Sequence, residues 1–393
     1  MRGGYPSFSR GLLVGLSMVQ DVKIGLNDNT YSQAILSNDI KAIIDRGIII
    51  KSCERTWDVD LYLGNIHDAA RYKKTNNSIL ISGYPFLGLD ENLATELKKF
   101  KATFTSGQID ACNFSDHQNF DLPQPASISF VNGNEKIRAS DLIKILFVGT
   151  FNYWKGIDQA ISTYIRSDLE LESRLTLKCP IEHHSGESFA SEIAYIKHRE
   201  LFLHLINLYI TNELKDLEPT FSSTGQGFDF GFHFSINGKK KSIVCDMRSS
   251  NESEMIQIYD DHDVLLHLSR GETWSMPVIE ALLRGLHVVF PSHYGCANYV
   301  RDLSNAWICE SIPRDFSAYD FSDRSSGGGK IYLAGGTKYF EVSLDAASAA
   351  LNSACLKAAN EVNPLIDRLK LYERVGYANI GLIYHDKMQG LNI

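Results

Sequence analysis

The chain of 393 residues carries 39 Lys and Arg against 47 Asp and Glu, a formal net charge of -8. That balance excludes nucleic acid as the main partner, because phosphate binding needs a large basic surface. Hydrophobic residues at 44% and charged residues at 22% exclude disorder and fibrous repeats, and the length exceeds what one hydrophobic core usually serves, so two domains are expected.

The seven cysteines (Cys53, Cys112, Cys179, Cys245, Cys296, Cys309, Cys355) are scattered, odd in number and free of CxxC spacing, which points to a reducing compartment. The opening Met1-Arg2-Gly3-Gly4-Tyr5-Pro6 does not read as a signal peptide. No apolar run is long enough to span a bilayer, so a cytoplasmic protein is expected. Lys98-Lys99 and Lys239-Lys240-Lys241 read as solvated surface, with peripheral contact to anionic lipid as the lesser reading.

In chain order, a strand at Val22–Leu26 is followed by a helix near Ser37–Arg46. Strands at Asp60–Leu63, Ile79–Ser82 and Ala102–Thr105 complete an open α/β pattern. The chain turns polar around Asp121–Asn134, and a domain boundary is expected near residue 140. The alternation resumes with a strand at Ile145–Gly149, a helix at Ile157–Arg166, a strand at Leu175–Lys178, a helix near Ser191–Ile210 and a strand at Ser242–Asp246. Thr211–Lys241 and Ala318–Val342 fit it poorly and read as insertions, as hairpins or loops.

Chemistry is expected first at residues 145–156. A strand, a loop and then an amphipathic helix (Ile157, Ala160, Ile161, Tyr164, Ile165) place unpaired N–H groups and a positive dipole end where an anion can bind, and Lys155 adds a charge there. A second strand-loop-helix unit follows, with Asp263–Leu268 as strand, Ser269–Met276 as loop, Pro277–Arg284 as helix and Leu286–Phe290 as the next strand. Pro277 suits a helix start and Gly285 a stop. Glu272 falls in the loop and Glu280 one turn into the helix, so two carboxylates flank one anion site. The amides of Thr273, Trp274, Ser275 and Met276 can cradle phosphate or sugar.

The run Gly271-Glu272-Thr273-Trp274-Ser275-Met276-Pro277-Val278-Ile279-Glu280-Ala281, with Gly285–Val289 after it, resembles the E-x7-E signature of the retaining family-four GT-B glycosyltransferases, the glycosyl transferases group 1. Phe147-Val148-Gly149 to Lys155-Gly156 is similar to that family's diphosphate-binding loop. The likeness is strong over residues 143–303 and loose over the first 140. It implies an α/β chain of GT-B architecture, two Rossmann-like domains facing across a cleft. The acceptor-side domain spans about 1–140, the nucleotide-sugar domain about 141–371, and residues 372–393 cross back to complete the first.

The implied activity moves a sugar from a nucleoside diphosphate sugar to a glycan or other acceptor hydroxyl, with retention of anomeric configuration and no metal or other cofactor. The rival reading is a GT-B subunit that binds a nucleotide sugar or glycan without turning it over. By resemblance, Lys155 contacts the donor diphosphate, Glu280 binds the nucleotide ribose and Glu272 lies by the transferred sugar. Thr150, Thr273, Trp274, Ser275, Met276 and Arg248 complete the donor side, and Gly4 and Tyr84 belong to the acceptor side.

The chain departs from the family pattern in three places. Thr150 stands where an arginine is usual, and the Glu-Thr-Trp-Ser-Met loop is bulkier than the usual Glu-Gly-Phe-Gly-Leu. No strand precedes the glycine loop at Gly3-Gly4, as expected of a chain that begins late or of a rearranged first sheet. The histidine that some relatives carry would fall near Gly83-Tyr84-Pro85 and is absent. Gly327-Gly328-Gly329-Lys330 lacks the remainder of a P-loop, and Cys179, His183 and His184 lack a second pair of metal ligands. His67, His262, His267 and His293 read as packing or surface residues, His293 alone standing near the cleft edge.

Overall fold

The computed structural model describes residues 4–19, 24–26, 43–46, 49–51, 59–63, 77–81, 95–106, 118–131, 141–149, 155–180, 200, 220–223, 229–248, 250–315, 338–360 and 365–391. Among them, α1 (Gly4–Ser17) precedes β1 (Ile24–Leu26) and β2 (Ile49–Lys51), a parallel pair. β3 (Asp60–Leu63), β4 (Ser78–Ile81), β5 (Ala102–Thr105) and β6 (Asn119–Asp121) form a separate parallel sheet in that order.

The second half begins with β7 (Ile143–Val148), α2 (Ile157–Arg166) and β8 (Ser173–Lys178), followed by β9 (Thr220–Ser223), β10 (Asp229–Ile236) and β11 (Lys239–Asp246). Then come α3 (Glu252–Asp260), β12 (Val264–Leu266), α4 (Met276–Leu283), β13 (His287–Pro291), α5 (Ala297–Val300) and β14 (Ala306–Cys309). A hairpin of β15 (Ser311–Asp315) and β16 (Lys338–Val342) leads into α6 (Leu344–Asn360), α7 (Leu365–Val375) and α8 (Tyr377–Gln389).

The second sheet runs β14-β13-β12-β7-β8-β11-β10-β9, parallel from β14 through β11 and antiparallel beyond. Ile145–Val148 of β7 and the whole of β12 are apolar without interruption because both faces are covered there. Ile145, Phe147, Val264, Leu266 and Val289 pack on one face with α2 and α6. Their alternates Leu146, Leu265, Val288 and Phe290 pack on the other with α4 and α7. The chain winds outward from β7 to β8 on one side and later from β12 to β13 on the other. The strand order therefore reverses between β7 and β12, which is where open α/β sheets bind ligands at the carboxyl ends.

Several sequence expectations need correction. The run Thr211–Lys241 ends in a hairpin, as one of its two readings had it, with β10 and β11 paired across Asn237-Gly238, both at positive φ (52° and 75°), but these strands extend the second sheet rather than standing apart from it. Lys241 is not solvated surface: it is 2% exposed, donates to the carbonyls of Tyr164 (3.3 Å) and Ser167 (2.6 Å), and lies over the Tyr164 ring. Burial lowers its pKa to about 8. Gly4 opens helix α1 rather than sitting in a loop. The stretch 318–342 ends in β16, which belongs to a hairpin begun at Ser311. All of the helix expected near 191–210 but Glu200, and most of that near 37–46, lie outside the described residues, as do the triple glycine at 327–329, His67, His183 and His184.

α8 packs on α1 and on the first half's core, where Ile380, Tyr384 and Leu391 join Leu12, Leu16, Ile79, Ile81 and Phe104. The approach is close enough to require glycine: a Cβ on Gly15 would lie 2.2 Å from the Tyr377 carbonyl oxygen, and one on Gly381 2.1 Å from that of Gly15. Gly15→Ala is expected to force the helices apart and cost roughly 2–3 kcal/mol, within the usual range for an overpacked contact, read as a drop in the denaturation midpoint.

Candidate functional site

The reversal of strand order brings two turns together. The turn after β7 reaches α2 through Gly156, at φ 68°, and a Cβ there would stand 1.9 Å from the Leu268 carbonyl oxygen. The backbone leaving β12 therefore passes directly against the start of α2. Across this contact Lys155 Nζ donates to Glu272 Oε2 at 2.7 Å, with both side chains partly open to solvent (27% and 20%). A lysine expected to meet an anion and a carboxylate expected beside a sugar thus share one point at the carboxyl edge of the sheet. An arriving anion competes with Glu272 for the ammonium, and the displaced carboxylate becomes free to accept from hydroxyl groups.

The floor under this pair is neutral and closed. His267 is buried, its Nδ1 2.9 Å from the Tyr294 hydroxyl and its ring stacked on Phe147 at 6.1 Å. The same hydroxyl accepts from the Ser269 amide at 2.7 Å. Burial pushes the His267 pKa down to about 4, so the ring stays uncharged at neutral pH and acts as packing. His293 is likewise buried, lowered to about 3, and stacked on Phe340 at 4.5 Å.

The loop from Thr273 to Met276 answers the concern about bulk. Trp274 turns inward, 1% exposed and edge-on to Tyr299 at 5.0 Å, so the indole fills the core behind the loop. Ser275, where the family pattern has its second glycine, adopts a left-handed backbone (φ 72°, ψ 80°) and caps α4 without a side-chain hydrogen bond. The chain holds here the conformation that glycine adopts at no steric cost. Pro277 follows in the first turn of α4, and Gly285, at φ 83°, lies just past its end.

Glu280 projects from α4 to a different partner, accepting from the buried Tyr259 hydroxyl at 2.9 Å. Burial raises its pKa to about 7; the Tyr259 hydrogen bond works against that shift, and the nearby Glu252 charge adds to it. Tyr259 is edge-on to Phe130 at 6.1 Å. The two glutamates of the signature therefore do not share a partner: Glu272 meets Lys155, and Glu280 meets a phenol on α3.

Arg248, beyond the end of β11, has its guanidinium committed to Asp246 by two bonds of 2.9 Å. Asp246 also accepts from Lys178 at 2.9 Å, a pair in which Lys178 is 2% exposed. Burial alone would raise the Asp246 carboxyl, but the hydrogen bonds from Arg248 and Lys178 outweigh it and hold its pKa below the ordinary range. Sequence reading missed Lys178, Asp246 and Tyr259. Adjacent positions at the ends of paired parallel strands were a signal for the first two (Asp246 opposite Lys178), whereas nothing in the spacing marked Tyr259. Thr150 and Tyr84 lie outside the described residues, and for Gly4 only the backbone is described.

Residues 244–319, about a fifth of the chain, match the family model described as glycosyl transferases group 1. No curated protein matches the chain in sequence. Among solved structures, a glycosyltransferase from Rickettsia africae ESF-5 is similar at 10% identity, over 98% of this chain and 94% of that one, with a TM-score of 0.51. A sucrose-phosphate synthase from Thermosynechococcus elongatus is similar at 12% identity, over 80% of this chain and 68% of that one, with a TM-score of 0.50. Likeness at such identities speaks to fold, and the matched segment holds both glutamates and the loop between them. The chain is a GT-B protein, two Rossmann-like domains facing across a cleft, and its segment 244–319 resembles the glycosyl transferases of group 1.

Proposed function

We propose that the chain moves a sugar from a nucleoside diphosphate sugar to an acceptor hydroxyl, with the anomeric configuration retained and no metal or other cofactor required. The observation that carries this reading is the meeting of Lys155 and Glu272 at 2.7 Å where the strand order reverses, with Glu280 eight residues further along. In the reaction the anomeric carbon–oxygen bond to the distal phosphate breaks and its electron pair leaves with the nucleoside diphosphate. The acceptor oxygen forms the new bond to the anomeric carbon, and its proton passes to the departing diphosphate oxygen. Lys155 and the N-terminal end of α2 neutralise the departing charge, a preorganised electrostatic effect that supplies several kcal/mol in comparable sites. Glu272, released from Lys155 by the diphosphate, accepts from hydroxyls of the transferred sugar, and Glu280 accepts from the ribose.

On this reading the backbone amides of Thr273 to Met276 approach the distal phosphate and sugar, and Trp274 backs them from the core. Arg248, fixed in plane by Asp246 yet half open to solvent, stands on the nucleotide side. The first half, with Gly4 and Tyr84, receives the acceptor, and Thr150 leaves the diphosphate with fewer cationic contacts than an arginine would give. We place the protein in the cytoplasm, peripheral to membrane at most; among the described residues, no helix is long and apolar enough to cross a bilayer. The reading of a binding subunit without turnover draws on Thr150, and the same measurements separate the two.

A panel of UDP-, GDP-, ADP- and TDP-sugars, followed by calorimetry and by release of free nucleotide with and without acceptor glycans, tests the proposal. One donor is expected to bind and be turned over; binding without turnover would leave the subunit reading standing. Lys155→Ala should lower turnover as well as affinity, because leaving-group charge grows in the transition state. An equal loss for nucleosides lacking phosphate would contradict that role.

Glu280 gives a pH signature. Its pKa is raised to about 7, so the carboxyl is protonated below neutrality and loses acceptor capacity for the ribose. Nucleotide affinity should therefore fall about tenfold from pH 8 to pH 6, and Glu280→Gln should flatten that profile. The same raised pKa means that the parent loses stability between about pH 4.5, where an unfolded glutamate ionises, and about 7, where Glu280 does, so Glu280→Gln should gain stability relative to the parent across that window and level off above it. Parallel pH profiles for the two proteins would remove the assignment.

A further inference from the structure

Behind Lys155 and Glu272 lies a second ionic contact between the same two turns. Asp158 stands in the first turn of α2, three residues after Lys155, and Arg270 comes two residues before Glu272. Arg270 Nη1 and Nη2 each donate to one oxygen of Asp158 at 2.7 Å, with the guanidinium 3% exposed. From the other side, Glu341 of β16 places Oε1 3.5 Å from Arg270 Nε, and its second oxygen lies 3.5 Å from Arg314 Nε. The hairpin strand is also tied to this point by the Phe340 amide, which donates to the Arg270 carbonyl at 3.0 Å, and by the stack of His293 on Phe340.

We infer that Arg270 is a positioning residue: its bidentate bond to Asp158 locks the first turn of α2, and Lys155 with it, against the loop that carries Glu272, while Glu341 braces the guanidinium from the β15–β16 hairpin. The inference rests on the donor-site reading above. A fork-to-carboxylate bond fixes both distance and plane, which a point charge does not. The Lys155–Glu272 contact is the one an arriving diphosphate breaks, because the anion takes the ammonium. The Asp158–Arg270 bond survives that exchange, so it keeps Lys155 at its station once Glu272 lets go. Gly156 against the Leu268 carbonyl sets how close the turns come, and the ionic bond sets their orientation about that contact.

Removing either partner outright strands a buried charge and confuses positioning with folding, so conservative variants are informative. Arg270→Lys keeps the charge and loses the fork. The probes are UDP, GDP, ADP and TDP together with the corresponding monophosphates, bound to the full chain and measured by calorimetry. The quantity read is the advantage of diphosphate over monophosphate in the wild type, in Arg270→Lys, in Lys155→Ala and in the double variant.

Arg270→Lys should lose about fivefold of that advantage or more, with monophosphate affinity held within about twofold, and should add nothing to Lys155→Ala, as expected of residues acting as one unit. A merely structural role would weaken both nucleotides alike and leave the ratio unmoved. An unchanged ratio, or a full additional loss in the double variant, overturns the inference while leaving the donor-site reading intact. A wild type with no preference for diphosphate on any base removes that reading and this inference together. Should Arg270→Lys fail to fold, Asp158→Glu, which keeps the charge and lengthens the arm, is judged by the same ratio.

Discussion

The arrangement of the second half depends on how closely the backbone leaving β12 passes the start of α2. Only a residue without a side chain fits at Gly156, and the carbonyl of Leu268 occupies the space a methyl group would need. That approach follows from the sheet. Because β7 and β12 are paired neighbours, their carboxyl-end turns emerge side by side, and any charge carried by one is presented to the other. Lys155 and Glu272, 117 residues apart in sequence, meet for this reason. The fold thus makes an ion pair from two residues whose separate sequence contexts are unremarkable, and leaves it partly open to solvent, where exchange of one anion for another is cheap.

Charges in this half fall into two kinds. Lys178–Asp246 and Arg270–Asp158 are closed, hydrogen-bonded on several sides and nearly excluded from water. Such pairs contribute little net stability against an apolar replacement, but they are costly to break singly, so they fix geometry. Lys155–Glu272 is the open kind. Glu280 is intermediate: it has no cation among its named partners, a phenol donates to it, and burial brings its ionisation near neutrality. A carboxylate held in that condition responds to whatever hydrogen-bond donors come within reach.

The sequence made the β7–α2 and β12–α4 units legible because each joins a run of apolar residues to a helix of clear period, with glycine or proline at the turns that need them. Pro277 and Gly285 marked the ends of α4 to within a residue. Lys241 was misread because a run of three lysines looks the same whether it lies on a surface or begins a strand. Its fate was decided by β11 pairing with β8 and by backbone carbonyls from α2 waiting beneath it. The Asn237-Gly238 turn was there to be read, since that dipeptide favours the conformation a tight hairpin requires. Neither Arg270–Asp158 nor Glu280–Tyr259 was legible, as each joins elements whose adjacency exists only after the sheet has formed. The bulk of Trp274 was a true observation with an unforeseen resolution, the indole pointing to the core.

The glycine-lined crossing of α1 and α8 bears on how the chain is made. A ribosome delivers α1 and β1 to β6 long before α8, yet Ile380, Tyr384 and Leu391 fill the same core as Leu12, Ile79 and Phe104. The first half therefore emerges without the C-terminal residues that share its core, and waits through the synthesis of the entire second half for the helix that packs there. Contacts across so many residues are slow to form, and the waiting core is where folding helpers, or misassembly with another nascent chain, would act.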